Sequence, residues 1–141
     1  MSSPSTTAVR YAQDGRTLVE SCVVDELPED GVRFVAVCDI WDYHAEYASK
    51  ILGKYDQPVN VYEDYRDMLA KEKELDAVIV ATPDWMHAEH AIAALKAGLH
   101  VYCEKEMSKS LNLAADMTKA AAEAKKLLQI GHQRRSNPVY L

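Results

Sequence analysis

The sequence predicts an α/β domain, a doubly wound parallel sheet with helices on both faces and the strand order 3-2-1-4-5-6. Three observations predict it. First, apolar β-branched runs alternate with amphipathic stretches along the chain, in the order βαβαβαβαβαβ. Second, the stretch from Leu75 to Glu106 holds a complete strand–helix–strand unit with short connections, the arrangement that joins parallel strands by a right-handed crossover. Third, polar residues collect directly after the apolar runs: Asp39 after one, Thr82, Asp84 and His87 after another, Glu104 and Lys105 after the next. Open parallel sheets bind ligands just outside the carboxyl ends of their strands.

The elements follow in order. Residues 1–7 are small and polar and read as a flexible N-terminus. Ala8–Gln13 is a short first strand, and Asp14-Gly15 is a turn signal. Leu18, Cys22, Val23 and Leu27 fall near helical spacing, so Arg16–Leu27 reads as a first helix, broken at Pro28. Val32–Ile40 is nearly continuous in apolar character, as suits a strand buried on both faces. A helix over Asp42–Leu52 stops at Gly53. Val59–Tyr62 is a short strand. Glu63-Asp64 opens a helix through Leu69, with acidic residues at the positive end of its dipole. In the central unit, Asp76–Ala81 is a strand, a helix follows the Thr82-Pro83-Asp84 turn and ends at Gly98, and His100–Cys103 is a second strand. Ser110 or Asn112 caps an Ala-rich helix to about Lys126, and Leu127–Gly131 is the last strand. The domain is therefore expected over residues 8–135, with 136–141 leading away from it.

Bulk properties exclude several classes. At 141 residues and 48% apolar composition, the chain suits one domain with a buried core and is too apolar for a disordered chain. A net charge of −6 without a basic stripe argues against nucleic acid or an anionic membrane as a partner. No run approaches the length of a membrane span, and MSSPSTTAVR lacks the apolar region of a secretory signal. Three cysteines, Cys22, Cys38 and Cys103, with no CxxC, read as free buried thiols in a reducing cytoplasm.

Asp39 stands at the end of the second strand, 24 residues after Gly15. In a dinucleotide-binding sheet an acid there bonds the adenosine ribose hydroxyls, and its charge favours NAD over NADP. The bland alternative is a helix cap. Gly15 and Arg16 are what remains of a phosphate-binding loop: one glycine where three let the backbone approach a pyrophosphate, and a cation to offset Asp14. Gly15 reads equally as a plain turn glycine. Pro83 forces Thr82 out of the helical region, which leaves the threonine hydroxyl and amide to offer to a ribose or nicotinamide. Asp84 reads as a cofactor contact or as a helix N-cap. His87 and His90, three apart, lack the spacing and base of HExxH, and no metal is expected. Lys105 at a strand end in a ligand crevice suggests a bond to a ribose or substrate hydroxyl and help with proton movement there. Its alternative is a surface pair with Glu104 or Glu106.

Together CDIWD, VYEDYRDML, DAVIVATPDWMHAEHAIAALKAGLHVYCEKE and LLQIGHQRR resemble the Gfo/Idh/MocA oxidoreductases over about residues 32–138. The resemblance implies a Rossmann-like nucleotide-binding domain and hydride transfer between NAD(P) and a sugar, inositol or related polyol. It places Asp39 at the adenosine ribose and lines the cofactor with Ala81, Thr82 and Pro83, with His87 nearby; Ile40 and Asp84 are expected among the cofactor-binding residues. Glu104 and Lys105 match the start of the family's Glu-Lys-Pro motif, which makes Lys105 the expected catalytic residue. Gln133 and Arg134 come near the cofactor at the end of the last strand. Three features depart from the family. The glycine loop is reduced. Glu106 replaces the proline, so the backbone there is expected to differ. The sequence stops at Leu141, where the resemblance implies a second domain with the substrate pocket and the oligomer interface, so little turnover is expected of this chain alone. The alternative is a non-catalytic domain that binds a nucleotide or a partner chain.

Overall fold

The computed structural model describes the backbone of residues 5–11, and residues 32–132 and 135 in full. Strand β1 (Ser5–Tyr11) is followed by β2 (Val32–Cys38), α1 (Asp42–Gly53), β3 (Asn60–Tyr62), α2 (Tyr65–Lys71) and β4 (Ala77–Ala81). Then come α3 (Asp84–Lys96), β5 (His100–Glu104), α4 (Leu111–Ala124) and β6 (Leu128–Gly131). The strands form one sheet in the order β3-β2-β1-β4-β5-β6, the predicted order. From β2 onward the predicted elements recur with ends moved by a residue or two. The turn at Asp14-Gly15 and the helix expected over Arg16–Leu27 lie outside the described residues.

The first strand differs from the prediction in two ways. It takes in Ser5, Thr6 and Thr7, which the sequence reading left in a flexible N-terminus. It also runs antiparallel to both neighbours, while β2–β3, β4–β5 and β5–β6 are parallel. The sheet is therefore mixed, with Tyr11 level with Val32 at the amino end of β2 and Thr6 level with Cys38 at its carboxyl end. An antiparallel neighbour needs no crossover along the length of the sheet, which is the physical difference from the expected layout. The register slips between Ala8 and Val9, where Val35 of β2 is passed over.

The sheet is covered on both faces. Strand β4 shows this by alternation: Val78 and Val80 belong to a large apolar cluster, and Ile79 packs against a smaller one. The large cluster joins Ala36 and Val101 to Met68 of α2, Ala88, Ala91, Ala94 and Leu95 of α3, and Met117 and Ala120 of α4. The spacing of the α3 positions is one helical stripe, which is why this helix lies flat on the sheet. The small cluster sets Val32, Phe34 and Val37 against Leu52 of α1. Alanines at the α3 contact let the helix come close to β4 and β5. Cys38 and Cys103 are buried free thiols, and burial foremost pushes both up to about 12, which keeps them unreactive. Among the described residues no helix is long and apolar enough to cross a membrane.

Candidate cofactor site

The register brings the carboxyl ends of the parallel strands to one edge. Thr6 of β1 pairs with Cys38 on one side and Val80 on the other, so the ends of β2 and β4 are level. They stand two strand spacings apart, about 10 Å. Val80 is level with Cys103, and Glu104 with Gly131. Asp39, Thr82, Glu104 and Lys105 thus line one rim, as the sequence reading expected.

Asp39 is held there by backbone and burial. Its amide donates to Tyr62 O at 3.0 Å, and its Oδ1 accepts from the Trp41 amide at 2.8 Å. The residue is only 4% exposed, and Oδ2 has no hydrogen-bond partner among the described residues. His44 Nδ1 lies 3.8 Å from Oδ2. Burial raises the Asp39 carboxyl above its ordinary value, against the opposing pull of the Trp41 amide and His44. An acceptor oxygen left without a partner in a buried position is matched by a ligand hydroxyl donor, and a ribose diol is such a donor. Beside it Ile40 is exposed, and Trp41 lies half-exposed with its ring 4.3 Å from that of His44. Sequence reasoning named Ile40 and passed over Trp41 and His44. The signal was the run of aromatic residues directly after Asp39.

The turn after β4 is fixed by two histidines of α3. Pro83 is the residue at the helix N-cap, with φ −56° and ψ 145°, and Asp84 is the first helical residue rather than the cap. His87 Nε2 lies 2.7 Å from Thr82 O, and His90 Nδ1 lies 3.1 Å from Thr82 Oγ1. The hydroxyl that the sequence reading offered to a ribose is therefore already engaged. Burial lowers the His90 imidazole below its ordinary value, so its Nδ1 suits the role of acceptor and Thr82 that of donor. The threonine oxygen keeps lone pairs for a ligand donor. His87 differs from its expected role: it is 1% exposed, and its other nitrogen, Nδ1, meets Glu106 O. Its place is beneath the rim.

Strand β5 delivers the last group. Glu104 ends the strand, and its Oε2 accepts from the Lys105 amide at 3.3 Å. Lys105 is exposed, and its ammonium makes no ion pair among the described residues, so the surface pair with Glu104 or Glu106 is not formed. The Lys105–Glu106 peptide is cis even though glutamate replaces the expected proline. Gly15, Arg16, Gln133 and Arg134 lie outside the described residues.

Residues 28–132 match the Gfo/Idh/MocA oxidoreductase family, NAD-binding Rossmann fold. The chain belongs to that family. The inositol 2-dehydrogenase of Salmonella paratyphi B is 36% identical over 115 residues, which cover 79% of this chain and 32% of that protein. The 4-carboxy-2-hydroxymuconate-6-semialdehyde dehydrogenase of Sphingobium sp. is 37% identical over 109 residues, 77% of this chain and 33% of that one. Among solved structures, the myo-inositol 2-dehydrogenase of Lactobacillus plantarum superposes with a TM-score of 0.68 at 32% identity, over 77% of this chain and 31% of that one. The WlbA dehydrogenase of Bordetella pertussis, solved with NADH and UDP-GlcNAcA, gives 0.68 at 31% identity, over 74% and 29%. This Gfo/Idh/MocA chain spans about a third of the length of the curated relatives it matches. It is the NAD-binding Rossmann domain of this oxidoreductase family, and the match begins after β1 and the Gly15 region.

Proposed function

We propose that this domain holds NAD rather than NADP and serves hydride transfer to or from a sugar, inositol or related polyol in the cytoplasm. The observation that carries the reading is the buried Oδ2 of Asp39 at the carboxyl end of β2, which has no hydrogen-bond partner among the described residues. Ribose hydroxyls satisfy that oxygen, whereas a 2′-phosphate would place like charge beside it. Ile40 and the Trp41 ring flank it with apolar surface suited to the flat face of an adenine. Bound along the rim, a nicotinamide ring would supply the hydride donor or acceptor. Ala81, Thr82, Pro83 and Asp84 line the middle of the rim, where the Thr82 oxygen accepts a donor from the cofactor. Lys105, directly after β5 and without an ion pair among the described residues, bonds the reacting oxygen of the substrate and favours the negative charge that develops on it. The substrate class is supported by the inositol dehydrogenases among the relatives.

The test is a calorimetric titration of the 141-residue chain with NADH and with NADPH. NADH is expected to bind at least tenfold tighter, and Asp39→Ala to weaken NADH by about 1–3 kcal/mol. Equal affinity for both cofactors, or no effect of the substitution, would sink the ribose assignment. One observation favours a second reading, a domain that holds a nucleotide or partner without turnover. Strand β1 ends at Tyr11, level with Val32 and so away from the Asp39 rim. Failure to bind either cofactor at millimolar concentration would favour that reading.

A further inference from the structure

We propose that Tyr65 of α2 is a positioning residue for the cofactor rim: its ring fixes the plane of the His90 imidazole, and His90 fixes the side chain of Thr82. The three residues form a chain of contacts from α2 through α3 to the turn after β4. The Tyr65 and His90 ring centroids are 4.5 Å apart, with the planes tilted by 54°. His90 Nδ1 lies 3.1 Å from Thr82 Oγ1. An imidazole has only a broad preference about its last side-chain torsion, so its plane is set by what packs on it. Tilted aromatic pairs at this separation attract one another. Thr82 has three staggered wells, and the contact with His90 selects the one that aims Oγ1 at the imidazole.

Tyr65 is itself held in place. Asp64 caps α2, its side chain accepting from the Arg66 amide at 2.8 Å, which sets Tyr65 in the first turn. The Tyr65 phenol donates to Glu89 Oε1 at 2.9 Å, and the same oxygen accepts from Arg66 Nη2 at 2.8 Å. Glu89 directly precedes His90 on α3, so this clasp and the ring contact engage adjacent residues of one helix. The Arg66 guanidinium carbon lies 4.6 Å from the Tyr65 ring centroid. Burial foremost, then the bond to Glu89, pushes the phenol up to about 12, so it keeps the proton it donates. The Arg66–Glu89 pair is itself 64% and 50% exposed, and such a pair contributes little stability. The ring, which packs against the large apolar cluster as well as on His90, carries the positioning.

The effect of Tyr65 on affinity rests on the cofactor reading, whereas the fixing of Thr82 does not. The test therefore has two arms on the 141-residue chain. The first measures, without cofactor, the three-bond couplings of the Thr82 methyl carbon to its own amide nitrogen and carbonyl carbon. One rotamer is expected in wild type and in Tyr65→Phe, which keeps the ring, and rotamer averaging in Tyr65→Leu. The second arm titrates NADH. Tyr65→Phe should bind about as tightly as wild type, and Tyr65→Leu about fivefold more weakly, the worth of one hydrogen bond. Thr82→Val should weaken binding, and adding Tyr65→Leu to it should cost nothing more. A tyrosine that merely fills space would lower stability and leave the couplings unchanged. Averaged Thr82 couplings in wild type overturn the proposal with no variant needed. So do a single rotamer in folded Tyr65→Leu, or affinity losses that add in the double variant. Tyr65→Met replaces Tyr65→Leu if the latter does not fold. Absence of NADH binding by the wild type would overturn the cofactor reading alone, and the couplings would still decide whether Tyr65 positions Thr82.

Discussion

The phenol of Tyr102 occupies the space that a side chain on Gly131 would need. A Cβ built there would overlap the Tyr102 hydroxyl oxygen and lie 2.9 Å from Cζ and 3.2 Å from Glu104 Oε2. Glu104 pairs with Gly131 across β5 and β6, and Tyr102 is two residues earlier on the same face. The glycine is thus a requirement of close approach, not of backbone conformation. Gly131→Ala is expected to cost about 1–3 kcal/mol, because a filled site must push the ring aside. Urea unfolding of the single variant, and of Gly131→Ala combined with Tyr102→Leu, checks this. The double variant should lose less than the two singles summed. An unchanged midpoint for Gly131→Ala would refute the steric account.

Asp39 sets function against stability. Its folded carboxyl is raised by burial, so the charged form destabilises the cofactor-free chain, and the benefit of protonation is lost as pH rises through the folded value. Asp39→Asn keeps an oxygen for the Trp41 amide and removes the buried charge. The variant should be more stable than wild type at pH 7, by about 1 kcal/mol, with the gain shrinking as pH falls through the raised folded value and levelling off below the ordinary carboxyl value of 3.8. It should at the same time bind NADH more weakly. A variant that is destabilised at pH 7 would show that the charge is compensated in the folded chain.

Two histidines oppose acidification. His100 Nδ1 accepts from the Leu127 amide at 3.0 Å, which requires a lone pair, and burial lowers His90 and His100 below their ordinary value of 6.5. For a lowered imidazole the unfolded chain binds protons first. Its contribution is complete above pH 6.5 and is lost as pH falls through the folded value. The difference in unfolding free energy between wild type and His100→Gln should therefore shrink from pH 7.5 to pH 5.5. A constant difference over that range would contradict the assignment.

Helix α4 carries a favourable start and an unfavourable end. Ser110 Oγ accepts from the Leu113 amide at 3.3 Å, while the C-cap residue, Lys125, sits in the left-handed region at φ 54°. Ser110→Ala should cost about 1 kcal/mol. Lys125→Gly should gain up to about 1 kcal/mol, because only glycine adopts that conformation without penalty. Thermal unfolding of both variants tests the pair. A destabilised Lys125→Gly would mean that the lysine side chain does more for the cap than its backbone costs.

The sequence revealed what depends on short-range pattern. Val32–Cys38, Ala77–Ala81 and His100–Glu104 are β-branched runs bounded by turn residues, and the stripe through Ala88, Ala91 and Leu95 marks the buried face of α3. The places of Asp39 and Lys105 directly after β2 and β5 were legible because a strand end next to a polar residue is a local signal. The direction of β1 was not, since STTAVRY forms the same alternating strand whichever way it runs. The engagement of Thr82 was hidden for another reason. Spacing put His87 and His90 on one face of α3, but no local pattern reveals that one ring reaches a carbonyl 19 residues away.

The antiparallel first strand makes the sheet two blocks joined by a seam. Strands β3 and β2 form one block, β4, β5 and β6 the other, and among the described residues only β1 hydrogen-bonds to both. Backbone continuity across the sheet thus depends on a segment far in sequence from one of its neighbours, β4, which begins at Ala77. Assembly has to wait for that late neighbour, which lengthens the loop to be closed before the seam forms. A chain without residues 5–11 would present two unpaired strand edges facing one slot, a vacancy that a synthetic STTAVRY peptide added in trans has the shape to fill.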